Sequence, residues 1–415
     1  MKKFLFHNFQ SLVIFNLGNA FSFFFSIILA RNLSLDNFGS YSIFMSFLGY
    51  MSIPATFFSI YISKELKNLN IVNLSKNLGN IFKISFYLLS IIIIVFFILN
   101  KFKLINIDYL KIILLFFLVF TIYGNTLINS SYLVLEQYKK YGFFSNLPFF
   151  FKLIFVIFYI NTTELDFNSV ILFILLSYLF TFLINFRYLK KNIKIIHLIN
   201  HNTIDLSAYF NKKSFFIIVL IFFSQLISNV DLFMFKHFYN GSFLGDYSVI
   251  NLLARIPFIA VAPLISIFIP ELAKNSISFM ENLKKFMILV LLNSIIYWTY
   301  FFLFKFFARE IILFTYGSSY LTMIHISYDL ILFFWINNII YLILIFANNF
   351  KFISLKILSL LYLPFIYFYL YLFNGLMNEF TQKLFNISLI FLFIITLFLI
   401  YNIFNKQYKF NNEKN

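Results

Sequence analysis

Residues 39–42 read Gly39-Ser40-Tyr41-Ser42, and 206 positions further on residues 245–248 read Gly245-Asp246-Tyr247-Ser248. The same offset relates Glu65-Leu66 to Glu271-Leu272 without a gap. An offset close to half of the 415 residues marks a duplicated unit, and overlooking it would misassign the whole fold. Each block begins just after one long apolar run and ends at the close of the next, so the duplicated unit is built of apolar segments. The prolines follow the same scheme: Pro54 against Pro257, Pro263 and Pro270, and Pro148 against Pro364.

Those apolar segments dominate the chain. Hydrophobic residues make up 62%, aromatic residues 23% and charged residues 11%, against about 45–50% apolar and about 25% charged in ordinary globular domains. The mean hydropathy is +0.89. With 32 Lys+Arg and 15 Asp+Glu, the chain cannot cover a water-soluble fold of this size. Its solvent is lipid. A cytosolic enzyme, a disordered chain and a secreted disulfide scaffold are excluded. The absence of cysteine also removes thiolate metal sites and cysteine nucleophiles.

A span needs about 20 apolar residues. Twelve are expected, at about 9–30, 38–62, 79–99, 104–134, 142–160, 167–187, 214–236, 243–269, 286–307, 318–347, 353–373 and 384–404. Met1-Lys2-Lys3 opens like a secretory signal, but the apolar stretch that follows is too long and carries Asn16 and Asn19. With the N-terminus inside, the cytoplasmic segments hold 21 Lys/Arg and the outer ones eight, so both termini are expected in the cytoplasm. Most of the +17 net charge is thereby topology. The expected organisation is an all-α polytopic membrane protein: an N-terminal lobe over 1–190, a basic cytoplasmic linker over 191–213 and a C-terminal lobe over 214–415. Six spans per half give both halves the same orientation. Such parallel repeats are related by an axis along the membrane normal, with the substrate path between them. The remaining connections are too short for a folded catalytic domain.

A few polar residues lie inside spans, where a mid-span charge costs about 2.5–3.5 kcal/mol and therefore faces a partner or a cavity. Lys152, Arg255 and Asp329 are expected near the midplane. Asp231 lies nearer the outer end of its span, with Asn229 two residues and Gln225 six residues before it. Gln10, Asn16 and Asn19 form a polar stripe on the first span. Two cations in opposite halves point to an anionic group such as a diphosphate, Arg through its planar fork and Lys as a point charge. The competing structural readings are an Arg255–Asp329 ion pair and a snorkelling Lys152. Asp231 and Asp329 are the alternative coupling-ion sites, and His325 stands one turn before Asp329. Pro54, Pro257 and Pro263 are expected to let cleft-lining helices bend as a gate. Phosphate-cradling G-x-x-x-x-G-K-[ST], H-E-x-x-H and G-x-S-x-G motifs are absent, so neither ATP hydrolysis, a cofactor nor a metal is expected.

The stretch Ala30-Arg31-Asn32-Leu33-Ser34-Leu35-Asp36-Asn37-Phe38-Gly39-Ser40-Tyr41-Ser42 resembles the A-R-x-L-[ST]-x-x-x-[FY]-G-x-[YF]-[SA] link that follows the first span of bacterial polysaccharide flippases. Residues 231–272, with Gly245-Asp246-Tyr247-Ser248 and Pro270-Glu271-Leu272, are similar to that family's seventh and eighth helices. These flippases belong to the multidrug/oligosaccharidyl-lipid/polysaccharide exporter superfamily. The resemblance implies a V-shaped pair of six-helix lobes in the bacterial inner membrane. They would move an undecaprenyl-diphosphate-linked oligosaccharide between leaflets for O-antigen or capsule assembly. It also implies Arg31, Lys152 and Arg255 as the residues holding the diphosphate. The implied partners are the lipid-linked oligosaccharide, membrane lipids and other polysaccharide assembly proteins; nucleic acid is not among them, and the chain is expected to be monomeric. The chain departs from the fourteen-helix peptidoglycan-precursor flippases in having twelve spans. The main alternative is an ion-coupled multidrug exporter of the same superfamily. A membrane polysaccharide polymerase is disfavoured because no large periplasmic loop is present.

Overall fold

In lipid a backbone N–H or C=O finds no water, so a spanning segment satisfies these groups internally, as a helix. The computed structural model describes residues 2–65, 109–135, 137–161, 164–192, 212–239, 242–261, 279–349 and 377–412, with scattered positions among 80–94 and 361–369. Among these residues all regular structure is helical. The elements are α1 (Lys2–Asn32), α2 (Leu35–Met51), α3 (Ile53–Glu65), α4 (Tyr109–Val134), α5 (Tyr138–Ile160), α6 (Phe167–Asn192), α7 (Lys212–Phe238), α8 (Ser242–Ala254) and α9 (Phe279–Thr315). A 3-10 helix (Ser318–Met323), α10 (Ile324–Asn349) and α11 (Met377–Asn412) complete them. Among the described residues seven helices are long and apolar enough to cross a membrane, or eight if the bent pair α2 and α3 is one span. The expected spans 79–99 and 353–373 lie mostly outside the described residues.

Several boundaries differ from the sequence reading, each for a local reason. The expected span 38–62 is two helices bent by 42°, because Pro54 has no N–H to continue the ladder. The expected span 286–307 is the middle of α9, which continues to Thr315 past non-helical Phe307 (φ −120°, ψ 16°). The expected span 318–347 starts with the 3-10 helix and becomes α-helical only at Ile324. Gly317 makes that turn with φ +101°, a region that side chains with a Cβ avoid.

The chain forms two compact units. One comprises Met1–Leu33 and Phe44–Phe222, the other Ser34–Ile43 and Phe223–Asn415. In the first, α1 packs on α5, α5 on α6, and α4 on α3 and α6. In the second, α10 packs against α8, α9 and α11. It is predominantly apolar and buried along most of its length, as suits a central helix. Large rings such as Phe158, Phe306 and Phe314 lie on the exposed surface; Phe314 is 84% exposed.

Each unit also carries a buried polar network. In the first, Asn185 on α6 donates to Asn129 on α4 at 2.8 Å, and Tyr132 donates to Asn185 at 2.8 Å. Asn129 in turn donates to Ser145 on α5 at 3.4 Å. In the second, Asn338 on α10 donates to Asn293 on α9 at 2.8 Å, while Tyr362 donates to Asn337 and pairs with Ser388 of α11 at 2.7 Å. Interhelical bonds of this kind contribute about 0.6–2 kcal/mol in a membrane.

The two glycines of the duplicated motif meet within the second unit. A methyl on Gly39 would stand 3.0 Å from the Gly245 nitrogen, and one on Gly245 would strike the Leu35 carbonyl. Only glycine lets the first turns of α2 approach α8 so closely. Tyr41, Tyr316 and Tyr320 are buried in the same unit. Burial, and then the nearby charge of Asp246, pushes the Tyr320 hydroxyl up to about 12.

Candidate functional site

A helix places residues four apart on one face, and Tyr247, Asn251 and Arg255 follow that spacing along α8 and just beyond its end. Opposite them, α7 presents Asn229 and Asp231. Asp231 is fully buried and accepts hydrogen bonds on both oxygens. Tyr247 donates to Oδ2 at 2.9 Å, and the Asn251 amide donates to the same atom. The Arg255 guanidinium donates from Nη2 to Oδ1 at 3.3 Å and from Nη1 to the Asn229 side-chain oxygen at 3.2 Å. Asn229 is fixed in turn by donating to the Gln225 carbonyl at 2.9 Å.

Packing holds the cluster in place. The Tyr247 ring stacks on Phe235 with centroids 4.0 Å apart and planes within 9°. Phe334 of α10 lies under the guanidinium at 5.2 Å, a cation–π contact that strengthens as water is excluded. The Arg255 side chain is 14% exposed, and its Nε is buried without a hydrogen-bond partner among the described residues. Arg255 thus keeps donor capacity that Asp231 and Asn229 do not use.

Arg255 does form the ion pair of the competing structural reading, but with another carboxylate. It pairs with Asp231, not with Asp329. Asp329 is half-buried in the second turn of α10, towards the helix start, with His325 exposed one turn earlier. The shift follows from α10 starting at Ile324 and not at 318.

Lys152 occupies the first unit. It is 2% exposed on α5, so the snorkelling reading fails. Its ammonium donates to the Ser22 hydroxyl of α1 at 3.0 Å and lies 4.7 Å from the centre of the Phe25 ring and 4.8 Å from that of Phe149. No carboxylate pairs with it among the described residues. The close packing of α1 on α5 that makes this contact depends on Gly18, where a methyl would collide with Asn146. Asn16 and Asn19 lie on α1 before Ser22 and contact each other at 3.5 Å; the Gln10 side chain lies outside the described residues. Arg31 is exposed in the last turn of α1 and is not brought to Lys152.

Of the expected gating prolines, Pro54 sits in the first turn of α3, and Pro257 lies two residues after Arg255 in the helical segment over 256–261. Pro263 lies outside the described residues. Among the described residues no group of three or more His, Asp or Glu could hold a metal ion. Sequence reasoning missed Tyr247, Asn251, Phe334 and Ser22. The first two were accessible from their spacing of four with Arg255; the other two come from different helices and carry no local signal.

No protein-family model matches the chain, and no curated protein does. Solved structures do. The chain is similar to a MATE crystallised in complex with MaD3S, at TM-score 0.66 and 12% identity over 95% of both chains. It is similar to the inward-facing conformation of a multidrug resistance MATE family transporter of the MOP superfamily, at TM-score 0.66 and 12% identity over 93% of both chains. A variant of the Vibrio cholerae MATE transporter VcmN matches at TM-score 0.64 and 11% identity, over 97% of this chain and 98% of that one. The fold is therefore that of the MATE transporters.

Proposed function

We propose that this chain is a multi-span exporter that works by alternating access and moves small molecules in exchange for an ion handled at Asp231. The observation that carries the reading is the buried Asp231–Arg255 pair inside a MATE-type fold. A buried carboxylate neutralised by one arginine has two compensated states. In one, Arg255 cancels its charge; in the other, a proton or cation does, and Arg255 is released. Those states can couple ion loading to substrate binding, since a ligand shifts an equilibrium only by its differential affinity for the two conformations. The names of the solved neighbours support small-molecule export.

A second reading has its own observation. Lys152 is buried without a carboxylate among the described residues, and Arg255 retains unused donors. An anionic substrate group would compensate either cation, which favours the undecaprenyl-diphosphate-linked oligosaccharide flippase. The two readings separate in reconstituted vesicles. Small-molecule export predicts that an imposed proton gradient drives accumulation of a fluorescent cationic dye, and that Asp231→Asn abolishes it. Absence of dye movement, together with accumulation of lipid-linked repeat units on gene deletion, would replace the first reading with the second.

A further inference from the structure

A proline removes one helical hydrogen bond and crowds the carbonyl four residues before it. For Pro257 that carbonyl belongs to Leu253, which is fully buried, where an unpaired carbonyl has no water to turn to. The Tyr300 hydroxyl, reaching across from α9, donates to this oxygen at 2.9 Å. Around the gap the helical pattern persists: the Arg255 amide donates to Asn251 at 3.1 Å and the Ile259 amide to Arg255 at 3.0 Å. One backbone bond is missing, and a side chain of another helix supplies it. Arg255 lies within that interrupted turn.

The first unit has a related contact, at a helix end just before a proline. α2 ends at Met51 ahead of Pro54, and helix ends leave carbonyls without intrahelical donors. The Tyr123 hydroxyl of α4 donates to the Met51 carbonyl at 2.7 Å, and Tyr123 is 2% exposed. The two tyrosines come from helices that are not repeat partners, so this is not an inherited contact copied by duplication. At Pro257 the clamped carbonyl is the one the proline frees; at Pro54 it is the last carbonyl of α2, three residues before the proline.

We propose that Tyr300 is a positioning residue for Arg255, and that Tyr300 and Tyr123 are hydroxyl clamps holding the two proline-broken helices at their bends. A backbone amide is tied to its own helix. A phenol from a neighbouring helix lets go when the helices shift, so each break is held firmly in one conformation and released in another. The role at Arg255 rests on the transport reading above; the clamp itself does not.

The test is hydrogen-exchange mass spectrometry on the purified full chain in lipid nanodiscs. Tyr300→Phe is expected to speed exchange over 255–261 about tenfold, the effect of leaving a buried carbonyl unpaired. Pro257→Ala restores an amide at position 257, so the Tyr300→Phe/Pro257→Ala double variant is expected to return to the parent rate. Tyr297→Phe is the control. Its hydroxyl meets the Phe334 carbonyl at 3.3 Å inside uninterrupted α10, so exchange over 255–261 should not change. Tyr123→Phe should act in the same way on 52–56. Parent-like exchange in Tyr300→Phe, or no rescue by Pro257→Ala, overturns the clamp. The pH profile of dye export is the second readout: a displaced profile in Tyr300→Phe supports positioning of Arg255. Faster exchange with an unchanged profile supports the clamp and overturns the positioning of Arg255 by Tyr300.

Discussion

Arg255 and Asp231 are 24 residues apart in sequence and 3.3 Å apart in space. Burying either charge alone is costly, and in low dielectric their attraction roughly offsets the loss of water only while both are present. Arg255→Gln is therefore expected to destabilise the protein by about 3–5 kcal/mol, because Asp231 is left buried and uncompensated. Adding Asp231→Asn should restore most of that loss, since an amide carries no charge. Thermal melts of the two variants in detergent check the order, and a double variant less stable than the single one would falsify the pairing. At this scale the sequence was half legible. The mid-span position of Arg255 marked it as a charge needing compensation. Two aspartates in the same half could supply it, and the choice depends on where α10 begins, which the apolar run from 318 obscured. Lys152 was legible as a buried cation for the same reason, while Ser22, Phe25 and Phe149 became its surroundings only through the packing of α1 on α5.

Helices show best where the sequence punctuates them. Asp166 stands just before α6; the Ser169 amide donates to its carboxylate at 3.0 Å and the Ser169 hydroxyl to the same oxygen. The hydroxyl bond holds the Asp166 carboxyl below the usual carboxylate range, against the opposing effect of burial. A lowered folded-state value means that this contribution is complete above the unfolded-state pKa, about 3.9, and disappears as pH falls through the folded one. Asp166→Ala is accordingly expected to cost about 1 kcal/mol at neutral pH and less in acid, measured as the difference in melting temperature between parent and variant at each pH. A cost that grows on acidification contradicts the assignment. Breaks at proline were equally readable, and Pro54 does divide an expected single span. What could not be read was the crossing of α2 and α8. Gly39 and Gly245 look like ordinary turn residues until the fold places them together. Gly245→Ala should destabilise more than Gly39→Ala, by about 1–3 kcal/mol, because its methyl meets the rigid Leu35 carbonyl, whereas the Gly39 methyl stands 3.0 Å from the Gly245 nitrogen and the Leu244 side chain.

At the scale of the molecule, composition and periodicity carried the fold class, because a chain in lipid has few ways to satisfy its backbone. They could not carry the substrate, because the sign of a binding site depends on which charges are already cancelled. Arg255 counts as a cation in the sequence and as half of a neutral pair in the structure. Lys152 is the buried amine with no carboxylate partner among the described residues, so it separates the two functional readings. An uncompensated buried ammonium is unfavourable for stability. Lys152→Met, which keeps the volume and removes the charge, is expected to raise stability by on the order of 1 kcal/mol or more. If the substrate is a small cationic molecule, the variant keeps dye export as well, since a cation at that position only repels it. If the substrate carries a diphosphate, the same variant gains stability and loses export of the lipid-linked oligosaccharide, because the residue was retained at a cost to the fold for the sake of the anion. Melting temperature and transport are thus read together. A Lys152→Met protein that is less stable than the parent contradicts the premise that its charge is uncompensated, and then Lys152 belongs to the packing of α1 on α5 and not to transport.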